Sequence, residues 1–152
     1  MACLCNGGLF PRLFSTQFTA VANNVTIPTT AGTTTVLTLP PIATLSSDKV
    51  KLDSMVELAI VSLTALNITN ASYVLQRSTN GGAFVDLAQL DIDSPLTAAA
   101  TTTLYPNLTW VDIPGVGTQI YRIVIVIGTL PVGITSITAE TRSLNALVVR
   151  EA

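Results

Sequence analysis

Apolar and polar residues alternate with period two along almost the whole chain. In DKVKLDSMVELAI, Val50, Leu52, Val56, Leu58 and Ile60 fall on one side, and Lys49, Lys51, Asp53 and Glu57 on the other. Such alternation predicts an antiparallel strand with one face in a core and one in water. Beyond Ile60 the apolar positions move to Val61 and Leu63, which predicts a bulge near residues 60–61. ASYVLQRSTNGGAFVDLAQLDID reads as two strands around Asn80, Gly81 and Gly82, where positive φ costs little. TQIYRIVIVIGT sets Tyr121, Ile123, Ile125 and Ile127 on one face and Val124 and Val126 on the other. Both faces are apolar, so this strand is expected to lie between the core and something outside its own sandwich.

Two shorter segments, TAVANNVTIP and TTTVLTLP, read as strands ended by Pro28 and by Pro40 and Pro41, and ITSITAETRSLNALVV closes the chain as a long strand. No capping box leads into a 3.6-residue period, and the abundant Thr and β-branched residues disfavour helix. Roughly eight strands with turns between them predict an all-β fold, an antiparallel jelly-roll β-sandwich. In that fold Tyr121 is expected to face the core and Trp110 to anchor the start of its strand.

Composition adds a reason to expect self-association. Of 152 residues 49% are hydrophobic and only 11% charged, against a usual charged share of about 25%. A surface built on Thr, Ser, Asn and Gln repels other copies weakly, and a large apolar excess is normally spent at an interface. The net charge of −2, with seven scattered Lys and Arg, excludes a nucleic-acid footprint. The longest apolar run, IVIVIG at 123–128, is strand-like in length and far short of a membrane-spanning helix.

The opening MACLCNGGLFPRLF departs from the alternation. It lacks an early positive charge and a continuous apolar core, so it does not read as an export signal. Residues 1–18 are read instead as an N-terminal connector and residues 19–152 as the folded domain. Leu9, Phe10, Leu13 and Phe14 would be apolar anchors around Pro11, which keeps the segment extended. Burying each anchor in another copy would contribute about 1.5–3 kcal/mol. Cys3 and Cys5 are too close for an unstrained bond to each other. They are either free thiols or partners in disulfides between subunits. The alternatives for residues 1–14 are that they are disordered or that they fold back on their own domain as an edge strand.

Catalytic chemistry finds little to work with. The chain has no histidine, which removes Ser-His and Cys-His pairs and the usual zinc sites. No enzyme activity, cofactor or metal is expected. Asp91 and Asp93, with Asp86, form the one acidic grouping that flexible oxygen coordination would suit, and they read more simply as solvated charges. Glu57, Glu140 and Arg142 are expected to pair across strands or between subunits.

Four stretches, KVKLDSMVELAI, YVLQRSTNGG, WVDIPGVGTQIYRIVI and TRSLNALVV, together resemble a known family. It comprises the trimeric jelly-roll domains, related to tumour necrosis factor, of bacterial endospore surfaces. They form the heads of collagen-like exosporium glycoproteins of the BclA type and the subunits of thin spore appendage (Ena-type) fibres. The resemblance covers roughly residues 19–150, and its most specific motif is D-x-P-G-x-G-x-x-x-Y, here Asp112, Pro114, Gly115, Gly117 and Tyr121. Collagen repeats are absent, so the chain resembles the fibre subunit more than the glycoprotein head. The resemblance implies a homotrimer stacked head-to-tail, contacts through strand 120–127, an extracellular place on the endospore, and anchor and tip proteins as further partners. Its alternative is a trimeric head that binds a glycan or receptor at the end of an exosporium or phage fibre.

Overall fold

A computed structural model describes residues 11–19 and 23–150. Among these residues there are eleven strands and no helix: β1 (Arg12–Phe18), β2 (Val25–Ile27), β3 (Gly32–Thr38), β4 (Ile42–Thr44), β5 (Asp48–Ser62), β6 (Leu66–Thr79), β7 (Val85–Leu96), β8 (Ala100–Leu104), β9 (Asn107–Asp112), β10 (Gly117–Ile127) and β11 (Ile134–Arg150). All pairings are antiparallel and form two sheets. The first has the order β1-β11-β5-β8, with β2 also on β11 and β9 also on β5; the second has the order β3-β10-β6-β7, with β4 also on β10.

The expected eight strands and the observed eleven describe the same architecture. Three sheet positions are each filled by two short strands in line. β1 and β2 follow one another along β11, β9 and β8 along β5, and β4 and β3 along β10. Prolines lie at two of the breaks: Pro40 and Pro41 separate β3 from β4, and Tyr105 and Pro106 separate β8 from β9. Proline has no amide to give a ladder, so a break costs least on an edge strand. The result is a four-on-four jelly-roll sandwich.

The inward side chains of both sheets form one core, including Val50, Leu52, Val56, Leu58 and Ile60 from β5 and Tyr121, Ile123, Ile125 and Ile127 from β10. The bulge expected near residues 60–61 is not in β5, whose alternation of buried and half-buried positions runs unbroken to Ser62. The irregularity lies on the partner strand, between Ile134 and Ser136 of β11. Ser62 fills the last inward position, and its hydroxyl donates to the Thr64 carbonyl at 2.6 Å. A satisfied hydroxyl is tolerated there, so Leu63 leaves the sheet and is 64% exposed. The β6–β7 hairpin forms where expected, with Asn80 at φ 52° and Gly81 at φ 75°.

Candidate assembly surfaces

The D-x-P-G-x-G-x-x-x-Y motif is a clasp across one end of the sandwich. Asp112 closes β9 in a buried position and accepts the Tyr121 hydroxyl at 2.8 Å. Nη1 of Arg77, from β6, donates to both of its oxygens at 2.8 Å. Gly115 turns the chain at φ 76°. The hydroxyl of Thr44 donates to the Gly115 carbonyl at 2.7 Å. Gly117 has φ 151°, and a Cβ there would meet Oδ1 of Asn80 at 2.8 Å. Asn80 uses that same oxygen to accept the Thr118 amide at 2.8 Å. Fully buried Gln119 bridges Thr44 and Thr79. The motif thus joins three connections and satisfies buried polar groups that would otherwise cost about 1–3 kcal/mol each. Burial pushes the Tyr121 hydroxyl well above its ordinary pKa, aided by the bond to Asp112, so it stays a donor.

The expected connector residues divide. Cys3, Cys5, Leu9 and Phe10 lie outside the described residues. Pro11 precedes β1, and residues 12–18 pair with the chain's own β11 as an edge strand. Leu13 points outward and is 70% exposed. Phe14 and Phe18 point inward, half-buried against the core. Nη2 of Arg12 donates to the Ala43 carbonyl at 2.7 Å, and the Thr16 hydroxyl to the Thr38 carbonyl at 3.0 Å.

Strand β10 is buried on both faces, but its second face is covered within the single chain. Val124 is in register with Thr35 of β3 and Val74 of β6, and both valines are fully buried. Beside them Arg122 donates to Gln76 at 2.8 Å and lies 3.6 Å from the centre of the Phe84 ring. Gln76 in turn donates to Asp86 at 2.7 Å. Val126 remains half-exposed. The expectation that this strand needs an external partner therefore fails for Val124, which is fully buried within the single chain.

Two other expectations are corrected. Trp110 is the fourth residue of β9, not its start, and is 41% exposed, because β9 lies on the outer edge of its sheet. Among the described residues Arg142 joins no carboxylate. It is buried, donates to the backbone carbonyls of Val36 at 2.8 Å and Glu140 at 2.9 Å, and lies 4.4 Å from the Phe18 ring centre. In the acidic grouping all three aspartates are exposed, and two of them have separate partners. Asp91 accepts from Ser72 and Gln89, which hold its carboxyl below the usual range, while Asp86 accepts from Gln76.

Exposed apolar residues gather at three places. One end of the sandwich carries Leu45, Ile113 and Val116, and β1 begins near this end, where Arg12 pairs with Val148. The opposite end carries Leu63 and Val132, joined by a bond from the Leu63 amide to the Gly133 carbonyl at 2.8 Å. Leu90 and Trp110 lie on the core-facing sides of the edge strands β7 and β9, while Tyr105 and Val111 project from the outer face of the first sheet. None of these surfaces was legible from local patterning, since each combines residues far apart in sequence.

No protein-family model and no curated protein matches the chain. Solved structures do. A structure of infectious bursal disease virus, Gx strain, aligns over 93% of this chain with a TM-score of 0.54 and 11% identity. The chain spans 32% of that viral chain. Eiger TNF from S. frugiperda aligns over 93% of this chain and 94% of its own, with a TM-score of 0.51 and 13% identity. At such identities the likeness speaks for fold alone, and it agrees with the strand order: the chain is an all-β, TNF-like jelly roll.

Proposed function

We propose that this protein is a structural subunit of a self-assembling extracellular fibre, of the kind carried by bacterial endospores, and that it has no enzymatic activity. The observation that carries the reading is the opposition of the two ends. The apolar N-terminal segment enters β1 at the end bearing Leu45, Ile113 and Val116, while Leu63 and Val132, the latter 98% exposed, stand at the other. Copies stacked along the strand direction would bring one copy's segment to the far end of the next, a contact that propagates without closing. The exposed edge carrying Leu90 and Trp110, with Tyr105 and Val111 on the adjoining outer face, supplies a lateral surface for a homotrimer. Three connectors acting together would add avidity. Leu9 and Phe10 serve as anchors, since Leu13 and Phe14 belong to β1, and Cys3 and Cys5 serve as points for disulfides between subunits. An anchor protein at the spore surface and a tip protein would end the fibre.

The test is negative-stain electron microscopy of the full-length chain beside a truncation lacking residues 1–11, which keeps β1. Beaded fibres from the first and discrete particles from the second support the reading. Discrete particles from both overturn it. The exposed Trp110 favours a second reading, a trimeric head that stacks a glycan or receptor on this ring.

A further inference from the structure

The placement of β1 carries a consequence for how copies associate side by side. None of its seven side chains is fully buried, so it adds an edge to the first sheet without being needed to close the core. It lies in line with β2 on the same edge of β11: Phe18 pairs with Arg142 and Val25 with Ala139. Those two sites on β11 are about 10 Å apart at the usual rise per residue. The chain joining Phe18 to Val25 reaches up to about 24 Å when extended. The link is therefore more than twice as long as the in-line placement requires. The acceptor edge, by contrast, is closely specified. The second sheet offers the Ala43 carbonyl of β4 and the Thr38 carbonyl of β3 to Arg12 and Thr16, and β11 offers the Arg142 guanidinium to the Phe18 ring. A β11 edge left without β1 would expose a row of unpaired amides and carbonyls, which templates pairing with another chain.

We propose that β1 is an exchanged strand: residues Arg12–Phe18 of one copy pair with β11 of a second copy in the register they show here. Every ladder bond and side-chain contact is reproduced, so exchange costs little beyond extending the link. Reach decides the direction. A link of about 24 Å joins copies lying side by side and is too short to join copies stacked along strands of about 50 Å. The exchange thus belongs to the lateral oligomer, closing around it when each copy passes β1 to the next. It rests on the lateral self-association proposed above.

The experiment uses full-length protein with Cys3→Ser and Cys5→Ser, and adds Ser15→Cys and Asn145→Cys, two outward-facing register partners. Their Cα separation in an antiparallel pair, about 4.5–5.5 Å, suits a disulfide. After mild oxidation the expected product on a non-reducing gel is a covalent trimer. A single-chain band from every sample overturns the exchange. If light scattering then still gives a trimer, the lateral assembly stands without the exchange; if it gives a monomer, both fail. A covalent dimer upholds the exchange, as a reciprocal pair, and overturns the trimer. A control pairing Ser15→Cys with Ser72→Cys, on the other sheet, is expected to give no covalent oligomer, and an equal yield from it also overturns the proposal.

Discussion

Replacing Asp112 by alanine tests the end clasp most directly. The carboxylate is 7% exposed and is the acceptor for the fully buried Tyr121 hydroxyl and for Arg77. Its removal leaves a phenol with no acceptor, at about 1–3 kcal/mol, and a guanidinium with no counter-charge. Removing one partner of a buried ion pair costs about 3–5 kcal/mol. The Arg77 side chain keeps 20% of its exposure, so water recovers part of its share and the expected total is about 3–4 kcal/mol. Tyr121→Phe removes a single hydroxyl while Arg77 still holds Asp112, and about 1–2 kcal/mol is expected. The two changes share one bond, so the double variant is expected to fall short of additivity by about 1 kcal/mol. Urea unfolding followed by circular dichroism at one fixed protein concentration measures all three, since self-association makes stability concentration-dependent. An Asp112→Ala chain within about 1 kcal/mol of the parent would refute the idea that this network holds the end of the sandwich together.

Gly117→Ala forces a Cβ against the Asn80 side chain at φ 151°, and a loss of about 1–3 kcal/mol is expected in the same assay. Asp48 is buried and its pKa is lowered chiefly by the Arg150 guanidinium, which donates at 2.7 Å and 3.0 Å. Its contribution is complete above the unfolded-state value near 3.8 and is lost as pH falls through the lower folded value. Asp48→Asn is therefore expected to be less stable at neutral pH and to lose stability less steeply below pH 3.8, checked by urea titration across that range. Phe18→Ala strips β1 of one of its two apolar contacts and bares Arg142. Limited trypsin digestion is expected to cut after Arg12 several-fold faster, and an unchanged rate would show that Phe18 does not hold the strand.

Much of this protein was legible locally. A period of two depends only on the alternating direction of successive side chains, so β5, the two faces of β10 and the long β11 follow from residue order alone. The β6–β7 hairpin follows likewise from the backbone freedom of Asn80 and Gly81. Tertiary structure decided what a strand meets. Whether Val124 needs a partner copy or is buried within its own chain depends on β3 and β6, tens of residues away. Whether Ser62 or Leu63 takes the last inward place depends on where β11 starts, and Trp110 is exposed because β9 falls at a sheet edge. The Asp112–Tyr121 motif reads in sequence as a family mark, and only folding brings Arg77, Thr44 and Asn80 to it. Pattern along the chain carries the orientation of a side chain, while its cover and its partner are set by pairing between distant segments, a property that no single stretch contains.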